Sequence, residues 1–237
     1  NKNYRFFFIK KGFTLFNMSS RATKRIVKDI SDLVNNIEEL NKNNIYFYIN
    51  DENIFEIYFL LIGTVNTPYN GGFYFFKFNF CNEYPIKPPI VKFMSTSGNI
   101  RFNPNLYTCG KVCLSIINTW QGPRWTPTQT ITSVLFSLQA MVLNEMPLTN
   151  EPGFENHPIN ELNKYNSIIL HENYRVNVNK ILNNQPPPFQ NFKNIMNRSF
   201  INNFNQLYEH INQLIVNESS DEIKSPAYGM LIKTNYR

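Results

Sequence analysis

The sequence predicts an α+β fold, on three observations: a helical period near its start, a central block rich in β-branched and aromatic residues, and helical periods again through its second half. Ile26, Ile30, Leu33, Ile37 and Leu40 step by four and three, so they share one face of an amphipathic first helix whose basic beginning carries Lys24, Arg25 and Lys28. From Ile54 to Met94 the period shortens to two. Phe55, Ile57 and Phe59, then Phe73 to Phe80, then Ile90 to Met94 read as three antiparallel strands joined by turns at Pro68 to Gly72 and Tyr84 to Pro89.

Residues 95–127 keep neither period and hold Gly98, Pro104, Gly110, Gly122, Pro123 and Pro127. A long irregular segment inside a compact chain is commonly functional. Thr126-Pro127-Thr128-Gln129 reads as a capping box, with Pro at the first helical position. The helix expected after it shows Ile131, Val134, Leu135, Leu138, Met141 and Val142 on one face and stops before Pro147. Further helices are expected over about Ile159 to Leu182 and, after the break at Gln185 to Pro188, along Phe200, Phe204, Leu207, Ile211 and Leu214.

Bulk properties narrow the function classes. The net charge of +6 is concentrated: residues 1–28 hold eight basic side chains and no acid, which leaves −2 for the remainder. Such a local stripe suits an acidic protein partner better than the spread positive face of a nucleic-acid protein. Three cysteines, Cys81, Cys109 and Cys113, are an odd and low count, which favours a reducing compartment, cytoplasm or nucleus, over a disulfide framework. Cys109 and Cys113 are four apart, yet no third or fourth ligand lies nearby, so no metal is expected. The apolar stretches Phe6 to Ile9 and Phe13 to Phe16 are split by Lys10 and Lys11 and are too short to span a bilayer, so no membrane partner is expected. The Asn-rich stretches are solvated surface.

The chemistry concentrates at Phe102-Asn103-Pro104-Asn105 and, eight residues after Asn105, Cys113. A thiolate is a good nucleophile toward a thioester, and a neighbouring Asn amide can donate to the oxyanion or order the loop. His157, His171 and His210 all lie far downstream. Thiol-to-thioester exchange between groups of similar pKa needs no strong base, so their distance is no objection.

The residues Asn103-Pro104-Asn105, Gly110, Cys113 and Trp125-Thr126-Pro127 resemble the active-site pattern of ubiquitin-conjugating enzymes. Pro68-Tyr69-Asn70-Gly71-Gly72 and Tyr84-Pro85-Ile86-Lys87-Pro88-Pro89 look like the family's two turn signatures, in order and spacing. The resemblance covers about Ala22 to Pro158 and is closer to the family's Z-type class. The insert Asn118-Thr119-Trp120-Gln121-Gly122-Pro123, the stretch Asn150-Glu151-Pro152-Gly153-Phe154-Glu155, and Tyr165 to Val178 are similar to that class.

The resemblance implies the UBC fold: an N-terminal helix, a four-stranded antiparallel meander, a long active-site loop, then helices. It divides the chain into a basic, aromatic extension (1–20), a catalytic core (21–158) and a helical extension (159–237). It implies a transferase in which Cys113 carries ubiquitin or a ubiquitin-like modifier as a thioester and passes it to a substrate lysine or a ligase. Asn105 then supports the oxyanion or the loop, and Glu151, or else Asn150, orients and deprotonates the incoming lysine. Pro85, Ile86, Pro127 and Thr128 fall where the family meets ligases, and Lys24, Arg25 and Lys28 where it meets the activating enzyme. No cofactor is implied, since ATP is used upstream by the activating enzyme. Two departures stand out: Asn103 replaces the usual His and Ile86 a common Phe.

The alternative is an RNA-recognition-type binding module, suggested by Gly72-Phe73-Tyr74-Phe75-Phe76-Lys77-Phe78 and a pI near 9.1. Tyr74 takes the place of that signature's small residue, and no helical pattern follows the hairpin before Thr126, so no nucleic-acid partner is expected.

Overall fold

The computed structural model describes residues 20–50, 52–217 and 222–236, so the expected extension over residues 1–20 lies, save Ser20, outside the described residues. Helix α1 (Arg21–Asn35) begins at Ser20, whose hydroxyl accepts from the Thr23 amide at 3.1 Å and satisfies one of the helix's open donors. Ala22, Ile26, Ile30 and Leu33 form its buried face. The expected single helix to Leu40 is interrupted at Asn36, whose backbone and side-chain amides both donate to the Asp32 carbonyl, at 3.0 and 2.8 Å. That competition ends α1, and a short α2 (Ile37–Lys42) carries Leu40 into the core.

Four strands follow as an antiparallel meander: β1 (Ile45–Ile49), β2 (Glu56–Ile62), β3 (Phe73–Asn79) and β4 (Ile90–Phe93), in the order β1-β2-β3-β4. The register sets Phe59 opposite Phe47 on one side and Phe76 on the other. β1 escapes the period-two reading because Ile45 to Ile49 is apolar or aromatic at every position. The fourfold meander that the resemblance implies is present, with its first strand upstream of Ile54.

Both faces of the sheet are covered, which is why β2 and β3 read as continuous apolar runs. Ile57, Phe59, Leu61, Tyr74, Phe76 and Phe78 face the main core with α1, while Tyr58, Leu60, Ile62, Phe73 and Phe75 pack against Ile181, Phe189, Phe192 and Met196. The aromatic strand is therefore core and offers no stacking platform for bases. With no helix among the described residues between β1 and β4, the element order differs from that of an RNA-recognition module too.

The second half departs from expectation at its helix boundaries. Thr126 and Gln129 do close a turn, Gln129 Oε1 accepting from the Thr126 amide at 2.9 Å, but no helix grows from it. The capping box that acts is Thr130 with Ser133, and α3 (Ile131–Ser137) continues into a wide π-helical turn, Leu138–Val142. α4 (Ile159–Glu172) passes into π-helix over Asn173–Lys180 and a last helical turn at Ile181–Asn183, so the helical span expected over about Ile159 to Leu182 is present, and α5 spans Lys193–Asn217. On α5, Leu207 is buried with Tyr174 and Val178, Phe200, Ile211 and Leu214 are partly buried against that cluster, and Phe204 is exposed. A small hairpin, β5 (Glu222–Lys224) with β6 (Leu231–Lys233), closes the described chain and has no counterpart in the sequence reading.

The segment after residue 158 shares the main core: Leu162, Tyr165, Ile168, Ile169, Val176 and Met230 pack with α1 and the meander. A polar pin joins the same parts. The buried Asn173 donates to the Asn70 carbonyl at 2.9 Å and accepts from the Tyr74 hydroxyl at 2.6 Å. Gly72 is required beside it, since a Cβ there would fall 1.8 Å from Asn173 Oδ1. No helix among the described residues is long and apolar enough to cross a membrane.

Candidate active site

The spacing of eight between Asn105 and Cys113 is the signature of a small antiparallel return. The Gly110 amide donates to the Tyr107 carbonyl, the Tyr107 amide to the Lys111 carbonyl and the Cys113 amide to the Asn105 carbonyl, each at 2.9 Å. Leu106 pairs with Val112 between them. Counting outward from the turn, residue 105 must therefore stand opposite residue 113. Gly110 closes the return with φ of +88°, and a Cβ there would meet the Phe93 carbonyl at 2.7 Å; that close approach lets Gly110 accept from the Phe93 amide at 2.8 Å. The return is thereby laid against the end of β4.

Across it, the Asn105 amide donates to the Cys113 carbonyl at 2.6 Å. One of its two N–H groups is thus committed to the loop, and Asn105 Oδ1 is buried without a partner. Cys113 is 2 % exposed, a free thiol like Cys81 and Cys109, and Cys109 faces solvent. The three histidines are held elsewhere: His157 stacks on Phe154, His171 bonds Glu172, and His210 accepts or donates to the Tyr174 hydroxyl. Among the described residues, no cluster of three or more His, Cys, Asp or Glu side chains is placed to hold a metal.

Asn103 is the hub of the loop. Fully buried, it donates to the Val142 carbonyl at 2.6 Å and the Tyr69 hydroxyl at 3.2 Å, while its Oδ1 accepts from the Asn105 amide at 2.8 Å and from Asn150 at 3.4 Å. Asn150 also donates to the Met141 carbonyl at 2.8 Å, made available by the wide turn after α3. Of the two acceptor-side candidates, then, Asn150 is spent on structure. The Glu151 carboxylate instead accepts a hydrogen bond from Tyr228, at the tip of the β5–β6 hairpin. That contact and the nearby Arg101 were not legible in the sequence.

The residues expected to meet partners gather at one end. The buried Trp125 donates from Nε1 to the Pro85 carbonyl at 2.7 Å and stands 5.9 Å from Tyr84, which joins the two loops. Trp120, by contrast, is 46 % exposed. Ile86 is 62 % exposed, and Pro127 and Thr128 are exposed, whereas Pro85 is buried beneath them. On α1, Lys24 and Lys28 face solvent, but Arg25 turns inward with 18 % of its side chain exposed. Its guanidinium donates to the Pro127 carbonyl at 2.5 Å, to the Gln129 carbonyl and to Asp29 at 3.0 Å, so it braces the loop from within. Burial raises the Asp29 pKa, against the lowering pull of Tyr84 and Arg25.

A family model described as ubiquitin-conjugating enzyme matches residues 25–180, the span that holds α1 from Arg25 onward, the meander, the Asn105–Cys113 return and α4. The chain belongs to the ubiquitin-conjugating enzyme family. It is 47 % identical over 149 residues to human ubiquitin-conjugating enzyme E2 Z, covering 62 % of this chain and 42 % of the relative. To the Danio rerio protein of the same name it is 46 % identical, over 62 % of this chain and 45 % of the relative. To the probable ubiquitin-conjugating enzyme protein 17 of Caenorhabditis elegans it is 35 % identical over 185 residues, 74 % of this chain and 25 % of that one. The chain thus spans less than half the length of these relatives, and its likeness within the family is to the Z type. A solved ubiquitin-conjugating enzyme E2 from Plasmodium falciparum overlays 51 % of this chain and 97 % of its own, with 26 % identity and a TM-score of 0.43.

Proposed function

We propose that this ubiquitin-conjugating family member accepts ubiquitin, or a related modifier, as a thioester on Cys113 and transfers it to a lysine or to a ligase. The observation that carries the reading is the return that sets the Asn105 amide across from Cys113 within the family's matched span. In loading, the Cys113 thiolate attacks the modifier's thioester carbonyl on the activating enzyme; a new C–S bond forms, the old one breaks and the activating enzyme's cysteine leaves as thiolate. In discharge, a lysine amine attacks the same carbonyl carbon, its proton passes to Glu151 and on to solvent, and Cys113 leaves as thiolate. ATP is consumed by the activating enzyme upstream.

Exposed Lys24 and Lys28 suit an acidic surface on that activating enzyme, and exposed Ile86, Pro127 and Thr128 suit a ligase. Free cysteines suit a reducing compartment, cytoplasmic or nuclear. The test incubates the protein with an activating enzyme, ATP and ubiquitin. One ubiquitin mass is gained and removed by thiol reductant, Cys113→Ser gives a reductant-resistant oxyester, and Cys113→Ala gains nothing. An adduct that persists in Cys113→Ala sinks the assignment.

A further inference from the structure

The β5–β6 hairpin reaches the acceptor side of the site from the far end of the chain. At its tip, the Tyr228 hydroxyl donates to Glu151 Oε2. The same ring lies against Arg101, 4.1 Å from the guanidinium carbon, and Tyr107 lies on Arg101 as well at 3.8 Å, so the flat cation is sandwiched between a hairpin ring and an active-site ring. Arg101 Nη2 in turn donates to the Pro104 carbonyl at 2.6 Å, one residue before Asn105. The backbone of Arg101 is fixed on both sides: its carbonyl accepts from the Tyr165 hydroxyl at 2.5 Å and its amide meets the Met230 sulfur at 3.2 Å. Burial, then the bond to Glu151, raise the Tyr228 pKa, which keeps this hydroxyl a donor across the working pH range.

A carboxylate that must receive an ammonium group at one angle gains from a fixed rotamer. Glu151 follows the 3₁₀ turn Pro147–Asn150 in extended backbone and is only partly buried, so it is not enclosed by packing on every side. We propose that Tyr228, pinned by Arg101, is a positioning residue for lysine discharge, orienting the Glu151 carboxylate toward the incoming amine. The carboxyl hairpin thereby belongs to the acceptor half of the site. This rests on the thioester reading of Cys113 and on the acceptor role of Glu151.

The test uses the full chain charged with ubiquitin by an activating enzyme and ATP, then chased in single turnover with free lysine or with 2-mercaptoethanol. Tyr228→Phe keeps the ring on Arg101 and removes only the hydroxyl. The ratio of lysine discharge to thiol discharge falls about tenfold, the size expected for one hydrogen bond to a charged group. In the Glu151→Gln background, adding Tyr228→Phe slows lysine discharge no further, because a residue acting through Glu151 has nothing left to orient. Effects that multiply, a Tyr228→Phe ratio equal to the parent's, or faster discharge, overturn the proposal. Failure of the parent chain to load overturns the thioester reading, and normal lysine discharge by Glu151→Gln overturns the acceptor role; the inference falls with either, and the two failures are told apart by the loading step.

Discussion

Replacing Asn105 by Ala separates two duties that one side chain can perform. In the structure its amide nitrogen has two hydrogens, and one is given to the Cys113 carbonyl at 2.6 Å. Its backbone amide and carbonyl bind Asn103 and Cys113 and survive the substitution. The variant therefore loses one buried side-chain bond and strands the Cys113 carbonyl, a cost of roughly 1–2 kcal/mol that shows as a lower unfolding midpoint. Because the backbone pairing still holds Cys113, loading by the activating enzyme falls by less than about tenfold, the equivalent of ~1.4 kcal/mol. The second amide hydrogen is free to meet the oxyanion, and the loss of one such donor is worth about a hundredfold. Single-turnover discharge to lysine is thus expected to drop about a hundredfold while loading drops far less. If both steps fall by the same small factor as the stability loss, Asn105 is a loop tether and nothing more.

Other expectations follow from buried groups. Burial would raise the Glu172 carboxyl, but the hydrogen bonds and charge of His171 and Arg175 overrule it and hold the pKa at about 2, against an ordinary 4.5. A depressed carboxylate stabilises the fold above the unfolded pKa, so about 3 kcal/mol is present near neutral pH and is lost as pH falls from roughly 4.5 toward 2; Glu172→Gln flattens that acid limb in denaturant titrations. Arg25→Met removes the brace on the Pro127 and Gln129 carbonyls and leaves the buried Asp29 without its cation, costing roughly 2–3 kcal/mol in chemical denaturation. Lys24→Glu with Lys28→Glu leaves stability alone and slows loading by a factor that shrinks as salt rises; a salt-independent loss contradicts an electrostatic role. Phe189→Ala opens a cavity against Phe75, whose ring stacks on it at 4.2 Å, and lowers stability by about 3–5 kcal/mol.

What the sequence made legible was local in origin. The α1 stripe, the strands β2 to β4 and the eight-residue return can each be read from neighbours, because period and turn chemistry act over a few residues. Asn36 and β1 were missed for opposite reasons: one polar residue broke a face that stayed apolar, and one strand had no polar positions to reveal its period. The shift of the capping box from Thr126 to Thr130 shows the limit of a motif met twice within five residues. Thr126-Pro127-Thr128-Gln129 has the composition, but Arg25, a hundred and two positions earlier, takes the Pro127 carbonyl that a helix would need. The pairing of Tyr228 with Glu151 spans seventy-seven positions and had no signal at all.

The carboxyl segment cannot be weighed as an appendage, because its residues complete parts that the first half leaves open. The outer face of the meander exposes Tyr58, Leu60, Ile62, Phe73 and Phe75 unless Phe189, Phe192 and Met196 cover it. An apolar sheet face of that size standing in water is an aggregation surface, so the cover is a condition for the fold as well as an addition to it. The same segment bonds the Pro68–Gly72 loop through Asn173, and that loop's Tyr69 hydroxyl donates to the Phe102 carbonyl at 2.7 Å and accepts from Asn103, behind the Asn105–Cys113 return. Where a histidine is usual in the family, this chain has Asn103, a shorter side chain with both donor and acceptor. Of the polar wall that accepts it, Tyr69, Val142 and Asn150, the Tyr69 loop is tied from behind by Asn173, the first residue past α4. The carboxyl segment thus reaches the loop behind residue 103 indirectly, through the Asn173 bond to the Asn70 carbonyl, one residue from Tyr69.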